Sequence, residues 1–323
     1  MKKNEVILVG DIGGTNTRLA LAHYDGHHVR IEGFEKFKGK DYSSLKPIIE
    51  TYLAQQSTKP ISASLAVAGP IHNHSVKLTN RDWQFSEDTL ESKFGFEKAI
   101  LHNDFSAMAR SIPIMDDDSF DTIFDPKTSN SNAPIIVAGP GTGFGMGIII
   151  TDCHPPHVLP SEGGHQAYAP QTEAEFKVLQ FLQNHFGFVS LEAICSGSGM
   201  NMVHKAICAQ HGKPYEQFTP EIVRQRAKAG DKICLEICEI RAAALMGAVG
   251  DMALACGSLG GVVLAGGVSE RLIEYIRAPK AMARFFDRGP QTDYMRQIPI
   301  RLLKNHEAPL YGVAALYADH QHS

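Results

Sequence analysis

Short apolar runs separated by glycine-rich polar turns are the dominant pattern of this chain. Residues 6–22 contain two such runs, and the first is β-branched and too short for a helix. The second run lacks an N-cap and a 3.6-residue period, so it also predicts a strand. The pattern predicts a strand–turn–strand hairpin with Gly10, Gly13 and Gly14 at the bend, where glycine allows a positive φ.

The same design returns near the middle of the chain. An apolar run over 135–138 enters a glycine-rich turn, 139–145, and a second apolar run, 146–150, leaves it. Two such units predict two related domains that face each other over one ligand. Only the first turn carries an acidic residue, Asp11, so a metal ion is expected on that side.

Strands and helices alternate along the rest of the chain, which predicts an α/β protein with a largely parallel or mixed sheet. A polar stretch follows the first hairpin, and three later segments have helical periodicity: 42–55, 172–186 and 231–255. The last helix is expected to be the spine of the second domain, and the polar residues 116–133 indicate a loop near a domain boundary. Thr172 and Glu175 are predicted to form a capping box at the start of the second helix. One apolar face of this helix is predicted to comprise Phe176, Leu179, Leu182 and Phe186.

The chain length and composition limit the classes of protein to consider. Its 323 residues exceed what one compact core usually accommodates, so we expect a small domain of residues 1–114 and 306–323 and a large domain of 115–305. With 43% hydrophobic residues, 20% charged residues and a net charge of −4, the composition is that of an ordinary soluble globular protein. No basic block is present, which argues against a nucleic-acid surface.

The sequence pattern also argues against export and membrane insertion. The first apolar run is interrupted by Asp11 and is too short for the core of a signal peptide. The uncharged stretch 133–151 contains five glycines and two prolines, which exclude a membrane helix. Without an export signal, the six cysteines are expected to be reduced thiols in a cytoplasmic protein.

The residues of the first turn suit an anion and a cation together. Glycines let backbone N–H groups approach a phosphate, Thr15 and Asn16 add side-chain donors, and Asp11 can face a metal ion. The turn is neither a Walker loop nor a dinucleotide fingerprint, because it has no Gly-Lys-Ser/Thr ending and no strict Gly-x-Gly-x-x-Gly before a helix. A plain hairpin turn is the alternative for this segment taken alone.

A second candidate for nucleotide contact follows a buried strand at 260–265. There Gly266 and Gly267 precede Ser269, which is predicted to cap a helix that begins at Glu270. A strand, a glycine pair and a helix N-terminus form a good seat for the sugar–base end of a nucleotide.

Several of these segments together resemble a known family. Residues 10–16, 139–145 and 265–268 are similar to the sugar-kinase branch of the actin-like ATPase superfamily. The chain more closely resembles the bacterial glucokinase family at 103–105, 162–165, 190–192 and 196–197. The resemblance implies a two-domain actin-like ATPase (ribonuclease H-like) fold with an active-site cleft between the domains. No cysteine-rich zinc motif follows His165, which favours the zinc-free glucokinases over the repressor/kinase-type relatives.

The resemblance implies ATP-dependent phosphorylation of glucose to glucose 6-phosphate, the first step of glycolysis, by in-line transfer. Asp104 is then the base for the sugar hydroxyl, although a helix N-cap is the alternative for that residue taken alone. Considered singly, Glu192 fits a surface residue better than a sugar ligand, and His165 fits a loop histidine with satisfied hydrogen bonds better than a sugar ligand. The hexose ligands implied by the family are Asn103, Asp104, Glu162, His165 and Glu192.

The nucleotide and its metal are assigned by the same resemblance. Asp11 is expected to hold Mg²⁺ through water, and Gly69, Pro70 and Asn80 to line the sugar side. The ATP site is expected to comprise Gly10, Asp11, Ile12, Gly13, Gly14, Thr15 and Asn16, then Gly141, Thr142 and Gly143, and Gly266 and Gly267 against the adenosine. Domain closure on the sugar is expected to dry the site.

The expected partners are glucose and ATP, with no nucleic acid and no membrane, and the family implies a homodimer. The nearest alternative is a kinase for another hexose or an amino sugar. A partner-binding ATPase of the actin or chaperone type and a non-catalytic sugar sensor are further alternatives. The loop at 162–165 fits a partner-binding ATPase poorly. The presence of Asp11 and Asp104 argues against a non-catalytic sugar sensor.

Overall fold

The computed structural model describes residues 5–24, 28–78, 81–126, 130 and 132–321. Within these residues the chain is a mixed α/β protein with strands in three sheets. The strands are β1 (Val6–Ile12), β2 (Asn16–Tyr24), β3 (Val29–Lys38), β4 (Ser62–Val67), β5 (Ile71–His72), β6 (Ser75–Lys77), β7 (Gln84–Ser86), β8 (Lys98–Asn103), β9 (Phe120–Phe124), β10 (Ile135–Pro140), β11 (Phe144–Ile150), β12 (His157–Ser161), β13 (Gly261–Leu264) and β14 (Ile300–Leu303). The helices are α1 (Leu45–Gln55), α2 (Glu87–Phe94), α3 (Asp104–Ser111), α4 (Glu173–Phe186), α5 (Leu191–Cys195), α6 (Met200–Gln210), α7 (Pro220–Lys228), α8 (Lys232–Cys256), α9 (Gly267–Arg271), α10 (Ile273–Ile276), α11 (Pro279–Phe286), α12 (Thr292–Met295) and α13 (Ala308–His320).

The chain divides into two compact units. The first comprises Met1–Asp117, Cys153–Pro160 and Asn305–Ser323, and the second comprises Asp118–Asp152 and Ser161–Lys304. The expected boundaries assign residues 153–160 to the large domain, whereas the contacts of this segment group it with the first unit. No charge run or glycine turn in the sequence indicates that residues 153–160 belong to the first unit.

The sheet of the first unit has the strand order β3–β2–β1–β4–β8. β1 pairs with β2 antiparallel and with β4 parallel, and β4 pairs with β8 parallel, so that Ile12, Val67 and Asn103 lie in register. The predicted hairpin is therefore confirmed. Because these three strands run in the same direction, their carboxyl ends meet at one edge of the sheet.

Two details of the predicted hairpin are wrong. Gly10 lies inside β1 opposite Leu19 rather than at the bend, and neither Gly13 nor Gly14 has a positive φ. A Cβ at Gly10 would lie 2.8 Å from Cδ2 of Leu65 and 2.9 Å from Cδ2 of Leu19. Close packing, rather than a special backbone conformation, explains why glycine stands at position 10.

The polar stretch after the hairpin contains a ten-residue strand, β3, which pairs antiparallel with β2. It is an edge strand, and most of its side chains stay partly or fully exposed, with only Phe37 buried. An edge strand needs few apolar side chains, so its sequence looks like that of a polar loop.

Residues of β1 point alternately to two faces of the sheet, and each face has its own core. Leu8 and Ile12 belong to the cluster that α1 covers, through the buried side chains of Ile48, Ile49 and Tyr52. The other face holds Ile7 and Val9 in a cluster with residues of α3 and α13: Ala107, Leu310, Val313, Ala314 and Tyr317. The sheet is thus covered by helices on both sides.

His102 lies in β8, directly before the carboxyl edge of this sheet, and is only 8% exposed. Ser64 donates its hydroxyl proton to the carbonyl oxygen of Val313 at 2.8 Å, and its Oγ lies 3.1 Å from Nε2 of His102. Because the serine proton is used, Nε2 carries the imidazole proton and donates it to Oγ. Burial, with a smaller contribution from His320, lowers the pKa of His102 to about 3.

Stability is expected to fall as the pH decreases from about 6.5 towards about 3, because the unfolded chain takes up a proton at His102 that the folded chain excludes. This group contributes a slope of at most about 1.4 kcal/mol per pH unit. His102→Gln retains a donor but does not titrate, so its unfolding free energy in urea should depend less on pH over this window. A His185→Gln control, at an exposed site, should keep the wild-type slope. Parallel pH profiles for His102→Gln and wild type would contradict this assignment.

The strands of the second unit have the order β11–β10–β13–β14–β9. β10 and β11 form an antiparallel hairpin, and β10, β13 and β14 run parallel to one another. A hairpin followed by two parallel strands is also the arrangement of β2, β1, β4 and β8, so the predicted repetition of the design is confirmed at the level of strand pairing. The long predicted helix is α8, whose central residues are buried on nearly all sides.

The predicted apolar face of α4 is only partly correct. Thr172 caps this helix as expected, accepting from the N–H of Glu175 at 3.3 Å, but Phe176 and Phe186 are 51% and 54% exposed. The buried face contains Val178, Leu182 and the carboxylate of Glu175. That carboxylate accepts from the N–H of Gln171 at 2.7 Å and lies 3.6 Å from Arg284. A paired acid therefore occupies a position that the hydrophobic pattern assigns to solvent.

None of the helices in the described part of the chain combines the length and the apolar character that a membrane crossing needs.

Candidate active site

The turn between β1 and β2 is held by hydrogen bonds to its carbonyl oxygens. Within the turn, the N–H of Gly13 donates to the carbonyl of Asn16 at 3.0 Å. Gly39 donates its N–H to the carbonyl of Thr15 at 2.9 Å, and the guanidinium of Arg81 bonds the carbonyl of Gly14. Carbonyl oxygens repel phosphate, so a turn whose carbonyls are engaged by the protein is suited to present N–H groups to an anion.

Arg81 connects this turn to its surroundings. Besides Gly14, its guanidinium donates to the carbonyl of Gly39 at 2.8 Å and lies 5.2 Å from the ring centre of Trp83. No local sequence pattern indicates this role, because Arg81 is 67 residues from Gly14.

Asp11 and Arg18 are direct partners across the hairpin and form a salt bridge. Burial raises the pKa of Asp11, and the charge of Arg18 opposes that rise. The contact involves Oδ2 of Asp11. Arg18 is absent from the predicted site, because the predicted bend began at Gly10 and placed Asp11 in the turn rather than opposite Arg18.

The end of β8 shows which residue caps α3. Oδ1 of Asn103 accepts from the N–H groups of Phe105 at 2.9 Å and Ser106 at 3.0 Å, so Asn103 is the N-cap. Asp104 is the first residue of the helix, and its Oδ1 accepts from the N–H of Phe105 at 2.9 Å. The alternative that Asp104 is the N-cap is therefore wrong, since the preceding residue takes that position.

One edge of the first sheet collects most of the predicted residues of that unit. Asp11 and Ile12 end β1, Gly69 follows β4 by two residues, and Asn103 ends β8 beside Asp104. Gly69 lies in a bend and is partly buried, and Pro70 follows the bend and is exposed. Asn80 lies outside the described residues. Three parallel strand ends thus bring residues from distant parts of the chain to one edge.

The corresponding turn of the second unit joins β10 and β11. The N–H of Gly141 donates to the carbonyl of Gly143 at 2.8 Å, and Gly197 donates to the carbonyl of Gly141 at 2.8 Å. Oγ of Ser198 donates to the carbonyl of Thr142 at 2.9 Å. As in the first unit, donors from another segment engage the carbonyls of the glycine turn.

Glu192 is tied to this turn. It lies in the first turn of α5, which Ser190 caps, and its Oε2 accepts from the N–H of Phe144 at 2.8 Å. A Cβ at Gly143 would lie 2.7 Å from the same oxygen. Glu192 is thus a half-buried residue bonded to the turn, not a detached surface residue, and a side chain at position 143 would displace its carboxylate.

A single 3-10 turn, Gly163–His165, packs against β11, with Glu162 as its N-cap and His165 as its last residue. A Cβ at Gly164 would overlap the carbonyl oxygen of Phe144, so the turn can approach the strand only with glycine at this position. The side chains of Glu162 and His165 are exposed. Backbone bonds between 166–168 and 189–191, at 2.9 and 3.0 Å, bring this turn close to α5.

Gly266 and Gly267 lie beside the glycine turn between β10 and β11. The N–H of Ala265 donates to the carbonyl of Ala138 at 2.8 Å, and a Cβ at Gly266 would lie 3.0 Å from the carbonyl oxygen of Pro140. Gly266 has a φ of 80°, which favours glycine, and it is the N-cap of α9. The predicted helix start at Glu270 is therefore wrong: α9 begins at Gly267, and Ser269 is buried within it. The glycine pair itself supplies the helix start, so no side-chain cap is needed.

A comparison with protein-family models matches residues 8–320 to the glucokinase family. The chain belongs to the glucokinase family. A glucokinase of Caulobacter sp. (strain K31) is 38% identical over 308 residues, which cover 95% of this chain and 93% of that relative. The crystal structure of a glucokinase from an Antarctic psychrotroph is 34% identical, with a TM-score of 0.87 and coverage of 98% of this chain and 99% of that one.

A more distant structure of this kind shares the fold alone. The ROK family glucokinase from Streptomyces griseus, solved in complex with glucose and AMPPNP, has 16% identity and a TM-score of 0.60, and covers 96% of this chain and 98% of that one. The predicted α/β fold of the actin-like sugar kinases is confirmed.

Proposed function

We propose that this member of the glucokinase family transfers the γ-phosphoryl group of ATP in line to the 6-hydroxyl of glucose, with Asp104 as general base. The reaction of the family is the ATP-dependent phosphorylation of glucose to glucose 6-phosphate. Phosphoryl transfer needs aligned reactants, neutralised charge and a proton acceptor more than it needs covalent help from the protein.

The capping of α3 by Asn103 is the observation that carries the assignment of the base. Since Oδ1 of Asn103 satisfies two N–H groups of the first turn, helix formation does not require the carboxylate of Asp104. A carboxylate at the edge that also holds Asp11 is suited to accept the proton of a sugar hydroxyl. Asn103 still has its side-chain NH₂ group, with which we propose it donates to the sugar.

The other hexose ligands that we propose are Glu162, His165 and Glu192. Two carboxylates and an imidazole offer acceptors for adjacent hydroxyls and at least one donor. Glu192 has Oε2 occupied by Phe144, so Oε1 is the oxygen proposed to accept from the sugar. A site that pairs each hydroxyl rejects sugars that lack one, because its own polar groups are then left unpaired.

For ATP we propose that the turns at 13–16 and 141–143 bind the phosphates and that Gly266 and Gly267 contact the adenosine. Among the described residues no group of three or more His, Cys, Asp or Glu side chains could hold a metal ion. A magnesium ion that keeps its waters needs only one or two carboxylates together with the phosphates, and Asp11 fits that requirement. When bound, magnesium neutralises charge on the phosphates.

Replacing Arg81 with Met is expected to raise the KM for ATP by at least about tenfold, because the variant loses two charge-assisted bonds that hold the first glycine turn. Steady-state kinetics with varied ATP at saturating glucose measure this. Arg30→Met, which removes an exposed arginine on β3 of the same unit, is the matched control and should keep the wild-type KM. An unchanged KM for ATP in a folded Arg81→Met protein would refute the role of Arg81.

The homodimer implied by the resemblance and the cytoplasmic location expected without an export signal remain predictions. They are checked by light scattering of the purified protein and by fractionation of cells that express it. A kinase for another hexose or an amino sugar is the remaining alternative for the substrate.

A coupled assay that detects ADP, run with a panel of hexoses and amino sugars, tests the function. The expected result is the highest kcat/KM with glucose, glucose 6-phosphate as product, and negligible ADP formation without sugar. A higher kcat/KM with another sugar would favour the alternative kinase. ATP consumption that is independent of sugar would contradict the kinase assignment itself.

A further inference from the structure

Arg241 is a buried cation in the middle of α8, only 4% exposed. Its Nε donates to the carbonyl of Ile194 at 3.2 Å, and its Nη2 donates to the carbonyls of Cys195 at 2.9 Å and Ser196 at 2.8 Å. The salt bridges found among the described residues do not include this guanidinium. The positive charge of Arg241 is therefore stabilised by three backbone carbonyls at the end of α5.

These three carbonyls end the element that carries Glu192. α5 has only five residues, too few for a helix that is stable by itself, so its position depends on what holds its ends. Ser190 holds the N-terminal end by accepting from the N–H of Ala193 at 3.3 Å, and Arg241 holds the C-terminal end. A cation there also complements the partial negative charge of the helix C-terminus.

The segment that leaves α5 contacts the glycine turn between β10 and β11. Gly197 donates its N–H to the carbonyl of Gly141, and Ser198 donates to the carbonyl of Thr142. At the other end of α5, Glu192 accepts from the N–H of Phe144. Hydrogen bonds thus join α5 to the turn at both ends of the helix. Arg241 bonds the carbonyls of the segment that links α5 to the turn.

We propose that Arg241 is a positioning residue that fixes α5, so that Glu192 and the turn at 141–143 keep one arrangement for sugar and phosphate. This inference rests on the proposed roles of Glu192 and of that turn. A guanidinium is needed because it presents several donors in one plane, whereas lysine offers a single ammonium group on a flexible chain. Removing it deprives three buried carbonyls of the donor that they have in wild type, which favours a shift of α5 toward new partners.

Arg241→Met is expected to raise the KM for glucose and the KM for ATP, each by about tenfold or more, with a smaller change in kcat. Arg241→Lys should lie between wild type and Arg241→Met. Arg288→Met is the matched control: the side chain of Arg288 is also largely buried, and it donates to the carbonyls of Phe285 at 3.2 Å and Gly247 at 2.8 Å and to Asp251 at 2.6 Å. Among the described residues, these hydrogen bonds of Arg288 do not reach α5 or either proposed ligand turn. Arg288→Met should lose thermal stability without a change in either KM.

A double-mutant cycle shows whether Arg241 acts through Glu192. If it does, adding Arg241→Met to a Glu192→Gln protein should change the KM for glucose far less than adding it to wild type. Additive effects in this cycle would overturn the proposal, as would KM changes in Arg241→Met that equal those of Arg288→Met at similar loss of Tm. Arg241→Lys is used in the same cycle if Arg241→Met does not fold. Failure of the proposed function is distinct, because wild type itself would then form no ADP with glucose.

Discussion

Asn in place of Asp104 is expected to lower kcat by roughly 10²- to 10⁴-fold, with little change in the KM for glucose. Asparagine has nearly the shape of aspartate but cannot take the proton of the sugar hydroxyl. It can still accept from the N–H of Phe105, so α3 should keep its first turn. The coupled assay, run at saturating ATP and varied glucose, separates the two kinetic constants.

Asp88→Asn is the matched control for this experiment. Asp88 lies in the first turn of α2, so the substitution makes the same change of charge at a helix N-terminus of the same unit, but at an exposed site. Its kcat should equal that of wild type. If Asp104→Asn kept near-normal kcat, the base would have to be another residue. A rise in the KM for glucose with unchanged kcat would instead make Asp104 a binding residue only.

Gly164→Ala is expected to destabilise the protein by about 3 kcal/mol, the upper end of the usual cost of overpacking, because the new methyl group overlaps a backbone oxygen of β11. The turn that carries Glu162 and His165 must then move away from the strand. The KM for glucose should rise together with the loss of stability. Thermal unfolding and sugar kinetics on the same preparation measure both effects.

Gly141→Ala controls for the loss of glycine itself. A Cβ there has nothing within 4 Å, and its φ is not positive, so the melting temperature should match that of wild type. If Gly164→Ala melted at the wild-type temperature, the close approach of the turn to Phe144 would be wrong. The proposal that this close approach positions Glu162 and His165 for the sugar would then have no support.

Much of the local architecture follows from the sequence. The two hairpins, the capped start of α4, the spine helix α8 and the position of Asp104 at a strand end and helix start are all predicted from short patterns. Such features depend on residues within a few positions of one another, where backbone preferences and hydrophobic period act directly. The edge strand β3 is missed because it buries too little to show a period.

The contacts that shape the candidate site depend on the tertiary structure. The bond from Arg81 to Gly14, the bond from Phe144 to Glu192 and the contacts of Arg241 with the end of α5 join residues 45 to 67 positions apart. No local preference determines such pairs, since they form only when separate elements pack together.

The sequence by itself determined the repeated hairpins, the family and the residue types available to bind a sugar and a nucleotide. Only the tertiary structure decided that Asn103 rather than Asp104 caps α3, and that glycine at 10 and 164 serves close packing rather than a positive φ. The physical reason is that crowding and hydrogen-bond satisfaction depend on which atoms are adjacent in space, and that adjacency is set by the whole fold.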